Sequence, residues 1–105
     1  MTVQETTEAL ADRLLRELPA EEVWLFGSQA RNEATPDSDM DFLVLIQESP
    51  LSGYQRSRQA RELVADLPFS KDIVVLTRNE WRKQEQVVNT LPYLAKKEGR
   101  CLAAR

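Results

Sequence analysis

The run from Val23 to Ile46 constrains this chain more than any other: Val-Trp-Leu-Phe-Gly-Ser-Gln-Ala-Arg-Asn-Glu-Ala-Thr-Pro-Asp-Ser-Asp-Met-Asp-Phe-Leu-Val-Leu-Ile. An apolar strand ends in a Gly-Ser turn, a polar connection follows, and Asp39 and Asp41 open a second apolar strand. Strand side chains two residues apart share a face, so this spacing aims Asp39 and Asp41 into one small volume. Like charges that close repel, and a cation between them relieves the repulsion. For an oxygen-only donor set that cation is a hard divalent ion, Mg²⁺ above all. Upstream, Gly27 lets the backbone approach a ligand closely. Ser28 suits the N-cap of a short helix over Gln29, Ala30 and Arg31. Backbone N–H groups left free at a helix start attract phosphate. A phosphate cradle beside metal-binding carboxylates points to a nucleoside triphosphate with its Mg²⁺.

Composition narrows the rest. With 105 residues, 42% hydrophobic and 30% charged, the chain is expected to form one globular domain over residues 1–105 with a single modest core. Its net charge of −3 argues against a surface that coats nucleic acid, which would be basic. No apolar run approaches a membrane span, and the first residues lack signal-peptide character. Cys101 is the sole cysteine, so an intrachain disulfide is excluded and a cytoplasmic location is the plain expectation. Histidine is absent. That removes His-based nucleophilic triads and argues strongly against zinc, leaving acid–base work to carboxylates, Lys, Tyr or Ser.

Periodicity places the elements. Val3, Leu10, Leu14 and Leu18 recur at helical spacing and Pro19 closes that helix. Strands are expected at 23–26, 42–46 and 73–76, the second apolar on both faces and therefore internal. Ala60, Leu63, Val64 and Leu67 form a stripe that predicts a helix over 54–66, ended by Pro68. Thr77-Arg-Asn-Glu80 reads as a capping box for a helix carrying Trp81, Val88 and Leu91. Pro92 is expected to interrupt it, with a second short helix through Lys97. Beyond Gly99, Cys101-Leu102-Ala103 reads as a short edge strand. Asp72, at the start of the third strand, meets Asp39 and Asp41 only if strands two and three run parallel through a crossover helix. Gly27-Ser28 reaches that edge only if strand one is antiparallel to strand two. The expected fold is therefore α+β: a small mixed sheet in the order 1-2-3, backed by helices.

Two separated motifs carry a family resemblance. Gly27-Ser28-Gln29-Ala30-Arg31, followed by Ser38-Asp39-Met40-Asp41-Phe42-Leu43-Val44, resembles the Gly-Ser-x-Ala-Arg-Gly … Ser-Asp-x-Asp-Leu signature of the minimal nucleotidyltransferases of the DNA polymerase β-type superfamily. The resemblance runs from about Val23 to Leu76, with Asp72 as the third acidic residue. Asn32 stands where the family usually has Gly, and Asn is the non-glycine residue most tolerant of a left-handed backbone. The resemblance implies a nucleotidyltransferase palm and Mg-dependent nucleotidyl transfer, with ATP as substrate. Asp39, Asp41 and Asp72 would be the catalytic and metal-holding residues for two Mg²⁺ ions. Gly27, Ser28 and Arg31 would bind the nucleotide. Relatives that modify small molecules carry an extra helical domain, whereas only residues 77–105 follow the third strand here. The acceptor is therefore expected on another protein or a second copy of this one. Short chains of this family pair with all-helical HEPN-domain toxins and act as antitoxins, by adding AMP to a toxin tyrosine or by binding.

Plainer readings stand beside these. Asp72 has a second reading as a strand-edge charge paired with Lys71 or Arg78. Arg31 either touches phosphate or pairs with Glu33 or Asp37, and Asp37 reads as solvated. Trp24 and Trp81 read as core or partner-facing, Tyr54 and Tyr93 as amphipathic surface, and Arg56, Arg58 and Arg61 as a solvated helix face. Three functions remain open: an adenylyl-transferring antitoxin, a non-catalytic module that blocks its partner by contact, and a small-molecule nucleotidyltransferase working as an oligomer.

Overall fold

The protein is described from a computed structural model, in which residues 2–26 and 40–105 are placed. The expectations that fall on Gly27, Ser28, Arg31, Asn32, Glu33, Asp37 and Asp39 lie outside the described residues. Helix α1 (Val3–Glu17) opens with a capping box: Thr2 accepts from the Glu5 N–H, and the Glu5 carboxylate accepts from the Thr2 N–H. Leu10 and Leu14 are buried. The helix ends at Leu18, which is extended, as a residue before proline prefers. Then come β1 (Ala20–Phe26), β2 (Met40–Ile46), α2 (Gly53–Leu63), β3 (Lys71–Thr77), α3 (Arg78–Gln84), α4 (Leu91–Glu98) and β4 (Arg100–Ala104).

The strands form one mixed sheet in the order β3-β2-β1-β4. Strand β1 pairs antiparallel with β2 and with β4, and β2 pairs parallel with β3. The α+β expectation, the 1-2-3 order and the edge strand all hold. Strand β2 is buried from Phe42 to Ile46 because helices cover both faces. On one side Leu10, Leu14, Ala60 and Val64 meet Val23, Leu25, Phe42, Val44, Ile73 and Val75. On the other, Trp81 and Ala95 meet Leu43, Leu45 and Leu76. Gly99 lets the end of α4 approach β1: a Cβ there would lie 2.4 Å from the Ala95 carbonyl oxygen and 3.0 Å from that of Leu25. Among the described residues no helix is long and apolar enough to cross a membrane.

Three expectations need correction. Helix α2 stops at Leu63 rather than Asp66, and Arg13 of α1 holds that end by donating to the Leu63 carbonyl and the Asp66 carboxylate. Helix α3 stops at Gln84, so Val88 and Leu91 lie outside it. Thr90 donates its hydroxyl proton to the Gln84 carbonyl at 2.6 Å, and Asn89 adopts φ 69°, which turns the chain. Pro92 sits in the first turn of α4, where its missing N–H costs nothing, and the expected break and second short helix are both present. Lastly, Arg56 is not on a solvated face. It and Ser57 are buried against the outer edge of β3. The Ser57 hydroxyl accepts from the Val75 N–H at 3.1 Å, and Arg56 Nε donates to the Val75 carbonyl at 3.3 Å. Helix α2 thereby satisfies backbone groups that an open sheet edge would leave free for another chain.

Candidate active site

The end of β1 and the starts of β2 and β3 reach the same edge of the sheet. Phe26 lies in register with Asp41, and Asp41 in register with Asp72. Neighbouring strands run about 4.8 Å apart, and directly opposed residues point to the same face. Phe26, Asp41 and Asp72 thus form a row across three strands. Strand parity identifies the face. Asp41 alternates with Leu43 and Leu45, Asp72 with Val74 and Leu76, and Phe26 with Trp24, all in the cluster under Trp81 and Ala95. The two carboxylates therefore rise at the rim of the layer that α3 and α4 cover. The third member of the row, Phe26, was not singled out in the sequence, although its place at the last position of an apolar run before Gly27 was the available signal.

Asp72 is exposed, and among the described residues its side chain makes no hydrogen bond or ion pair. Both suggested structural partners are engaged elsewhere. Lys71 donates to the carbonyls of Leu67, at 2.6 Å, and Phe69, at 3.0 Å. Burial pushes the Lys71 ammonium below its ordinary pKa, against the opposing pull of Asp66. Arg78 pairs with Glu21. Asp41 is half-buried. The structure thus brings Asp41 and Asp72 together, while Asp39, Gly27, Ser28 and Arg31 lie outside the described residues.

Trp24 and Trp81 belong to this layer as packing residues, their ring centroids 6.2 Å apart and tilted by 43°. The Trp81 indole N–H donates to Glu85 at 3.0 Å. The Lys96 ammonium holds the Glu85 carboxyl below the ordinary range by a hydrogen bond that outweighs desolvation, with Trp81 adding to it. These contacts fix α3 and α4 to each other and to the sheet face they cover.

Among curated proteins none matches the chain in sequence. Solved structures share its fold. A candidate nucleotidyltransferase from Sulfolobus solfataricus superimposes with a TM-score of 0.68 at 19% identity, over 96% of this chain and 79% of that one. A toxin–antitoxin structure with AMP-PNP gives 0.56 at 15% identity, over 99% and 75%. A tri-AMPylated Shewanella oneidensis HEPN toxin in complex with MNT antitoxin gives 0.52 at 17% identity, over 98% and 74%. The model of the nucleotidyltransferase domain family matches residues 7–94, a span that includes both carboxylates and the strands that carry them, and the chain belongs to that family.

Proposed function

We propose that this chain transfers a nucleotide, AMP from ATP, to a hydroxyl on a helical partner protein of the HEPN type and so acts as its antitoxin. The observation that carries this reading is the register of Asp41 against Asp72 on adjacent parallel strands. Two carboxylates on one face, in a chain without histidine, make an oxygen-only donor set that fits a hard divalent cation. Asp39, two residues before Asp41 in the sequence, is the third carboxylate of the proposed set. These three residues would hold Mg²⁺. When bound, it neutralises triphosphate charge and makes an acceptor hydroxyl easier to deprotonate.

The chain's own residues supply the rest. Gly27 and Ser28 offer backbone N–H groups, and Arg31 a guanidinium, to the β- and γ-phosphates. Asp72, exposed at the rim, accepts the proton of the attacking hydroxyl. The oxygen forms its bond to the α-phosphorus as the bond to pyrophosphate breaks in line. The AMP-PNP in one structural neighbour and the tri-AMPylated toxin in another favour ATP and a protein acceptor over a small-molecule one.

The test incubates the chain with ATP, Mg²⁺ and the small helical protein encoded beside it, and reads intact masses. The partner should gain AMP, and Asp39→Ala/Asp41→Ala and Asp72→Asn should each abolish the gain. A partner that binds tightly but never gains mass would leave an antitoxin acting by contact alone.

A further inference from the structure

The helical layer over the carboxylate face has a charge opposite to that of the whole molecule. Residues 78–98 contain Arg78, Arg82, Lys83, Lys96 and Lys97 against Glu80, Glu85 and Glu98, in a chain of net charge −3. Several of these are matched: Arg78 by Glu21, Lys96 by Glu85, and Glu80 by Arg56. Arg82, Lys83 and Lys97 are exposed and make no ion pair among the described residues. Between the two helices Val87 and Val88 stand in solvent, 53% and 63% exposed. The turn that holds them out is hydrogen-bonded: the Val87 N–H donates to the Gln84 carbonyl at 2.8 Å, and the Thr90 N–H to the Val87 carbonyl at 3.3 Å. Tyr93 is half-buried beneath Lys97, whose Nζ lies 5.9 Å from the ring centroid.

Two adjacent aliphatic side chains held out by an ordered turn, with exposed cations on the helices that precede and follow it, have the make-up of a protein interface: an apolar centre and a polar rim. We infer that the outer face of α3 and α4 docks the acceptor-bearing protein through an acidic surface with an apolar centre. This rests on the transfer reading above for the partner's identity. Charge selects the occupant. A second copy joined by a two-fold axis would set this basic patch against itself, which like-charge repulsion opposes. A nucleic acid would gain from the cations, but the valines offer its bases no stacking surface. An acidic protein satisfies both the valines and the cations. Helices α3 and α4 cover the same sheet face to which Asp41 and Asp72 belong by strand parity.

Calorimetry with the co-encoded helical protein tests this, using Val87→Asp/Val88→Asp and Arg82→Glu/Lys83→Glu. All four side chains are exposed, and circular dichroism with Mg·ATP binding checks that each variant is folded. Both variants should weaken partner binding at least tenfold and leave Mg·ATP affinity unchanged. Added salt should weaken the wild-type complex more than that of the charge-reversed variant. Wild-type affinity in either variant would overturn the inference. So would a wild-type chain that does not bind the partner, a homodimer dissociated by the valine changes, or single-stranded RNA that displaces the partner from the patch. The wild-type chain separates the two proposals. Its docking without any transfer refutes the transfer reading alone, whereas unimpaired docking and transfer by the patch variants refutes the docking surface alone.

Discussion

Arg56 serves three acceptors with one guanidinium: the Val75 carbonyl at 3.3 Å, the Leu51 carbonyl at 3.0 Å and the Glu80 carboxylate at 2.5 Å. Its side chain is only 7% exposed, whereas that of Glu80 is 40% exposed. Removing the guanidinium would leave the Val75 and Leu51 carbonyls poorly paired, while Glu80 can turn to water. Arg56→Leu keeps much of the bulk and should destabilise the fold by about 1–3 kcal/mol, the usual cost of unsatisfied buried polar groups, read as a lower urea midpoint at unchanged slope. Asp72→Asn should behave oppositely. It is exposed, and it removes one of two like charges in register, so stability should stay within about 0.5 kcal/mol of wild type or rise slightly while transfer is lost. The sequence separates these residues unequally. Asp72 announced itself as a carboxylate opening an apolar run. Arg56 sits in Gln-Arg-Ser-Arg-Gln, a string that reads as solvated because its acceptor on β3 lies nineteen positions away.

Helix α3 shows what can and cannot be read locally. Its start is encoded in four consecutive residues, and the capping box forms: Thr77 Oγ1 accepts from the Glu80 N–H, and the Glu80 carboxylate from the Thr77 N–H. Its end depends on contacts that periodicity does not contain. Val88 and Leu91 continue an apolar spacing from Trp81, yet α3 ends at Gln84 and the Thr90 hydroxyl on the Gln84 carbonyl closes a turn that contains Val88. The same element gives a pH dependence. Burial favours the protonated form of Glu80, but the Thr77 N–H, the Arg56 guanidinium and the Thr77 hydroxyl outweigh it and hold its carboxyl below the ordinary 4.5. A carboxyl depressed on folding contributes stability that is complete above its unfolded value and is lost as pH falls through its folded one. Glu80→Gln should therefore be less stable than wild type at pH 7. The gap should close as pH falls below 4.5 in a series of urea titrations. A gap that stays constant to pH 3 would show that the carboxylate charge contributes nothing to α3.

At the scale of the whole molecule, three strand ends meet at one edge because β2 and β3 run parallel and β1 runs against them. That topology was legible from the carboxylates alone, since Asp41 and Asp72 open their strands and meet only in a parallel pair. Which edge β4 would join was not legible. It pairs beside β1, away from β3, where Gly99 permits the close approach of α4. The convergence has a thermodynamic consequence. Without a ligand the edge gathers like charges, and a ligand that binds the folded chain but not the unfolded one stabilises it in proportion to RT ln(1 + [L]/Kd). Mg·ATP at a hundredfold excess over its Kd should contribute about 2.7 kcal/mol, which for a domain of this size raises Tm by on the order of 10 °C. The rise should require Mg²⁺ and ATP together, because neither the carboxylates nor the triphosphate tolerates the other's charge alone. Differential scanning fluorimetry with Mg²⁺, ATP and both, repeated on Asp41→Asn, reads this directly. An equal rise with ATP in excess chelator, or an undiminished one in the variant, would place the nucleotide away from the Asp41–Asp72 edge.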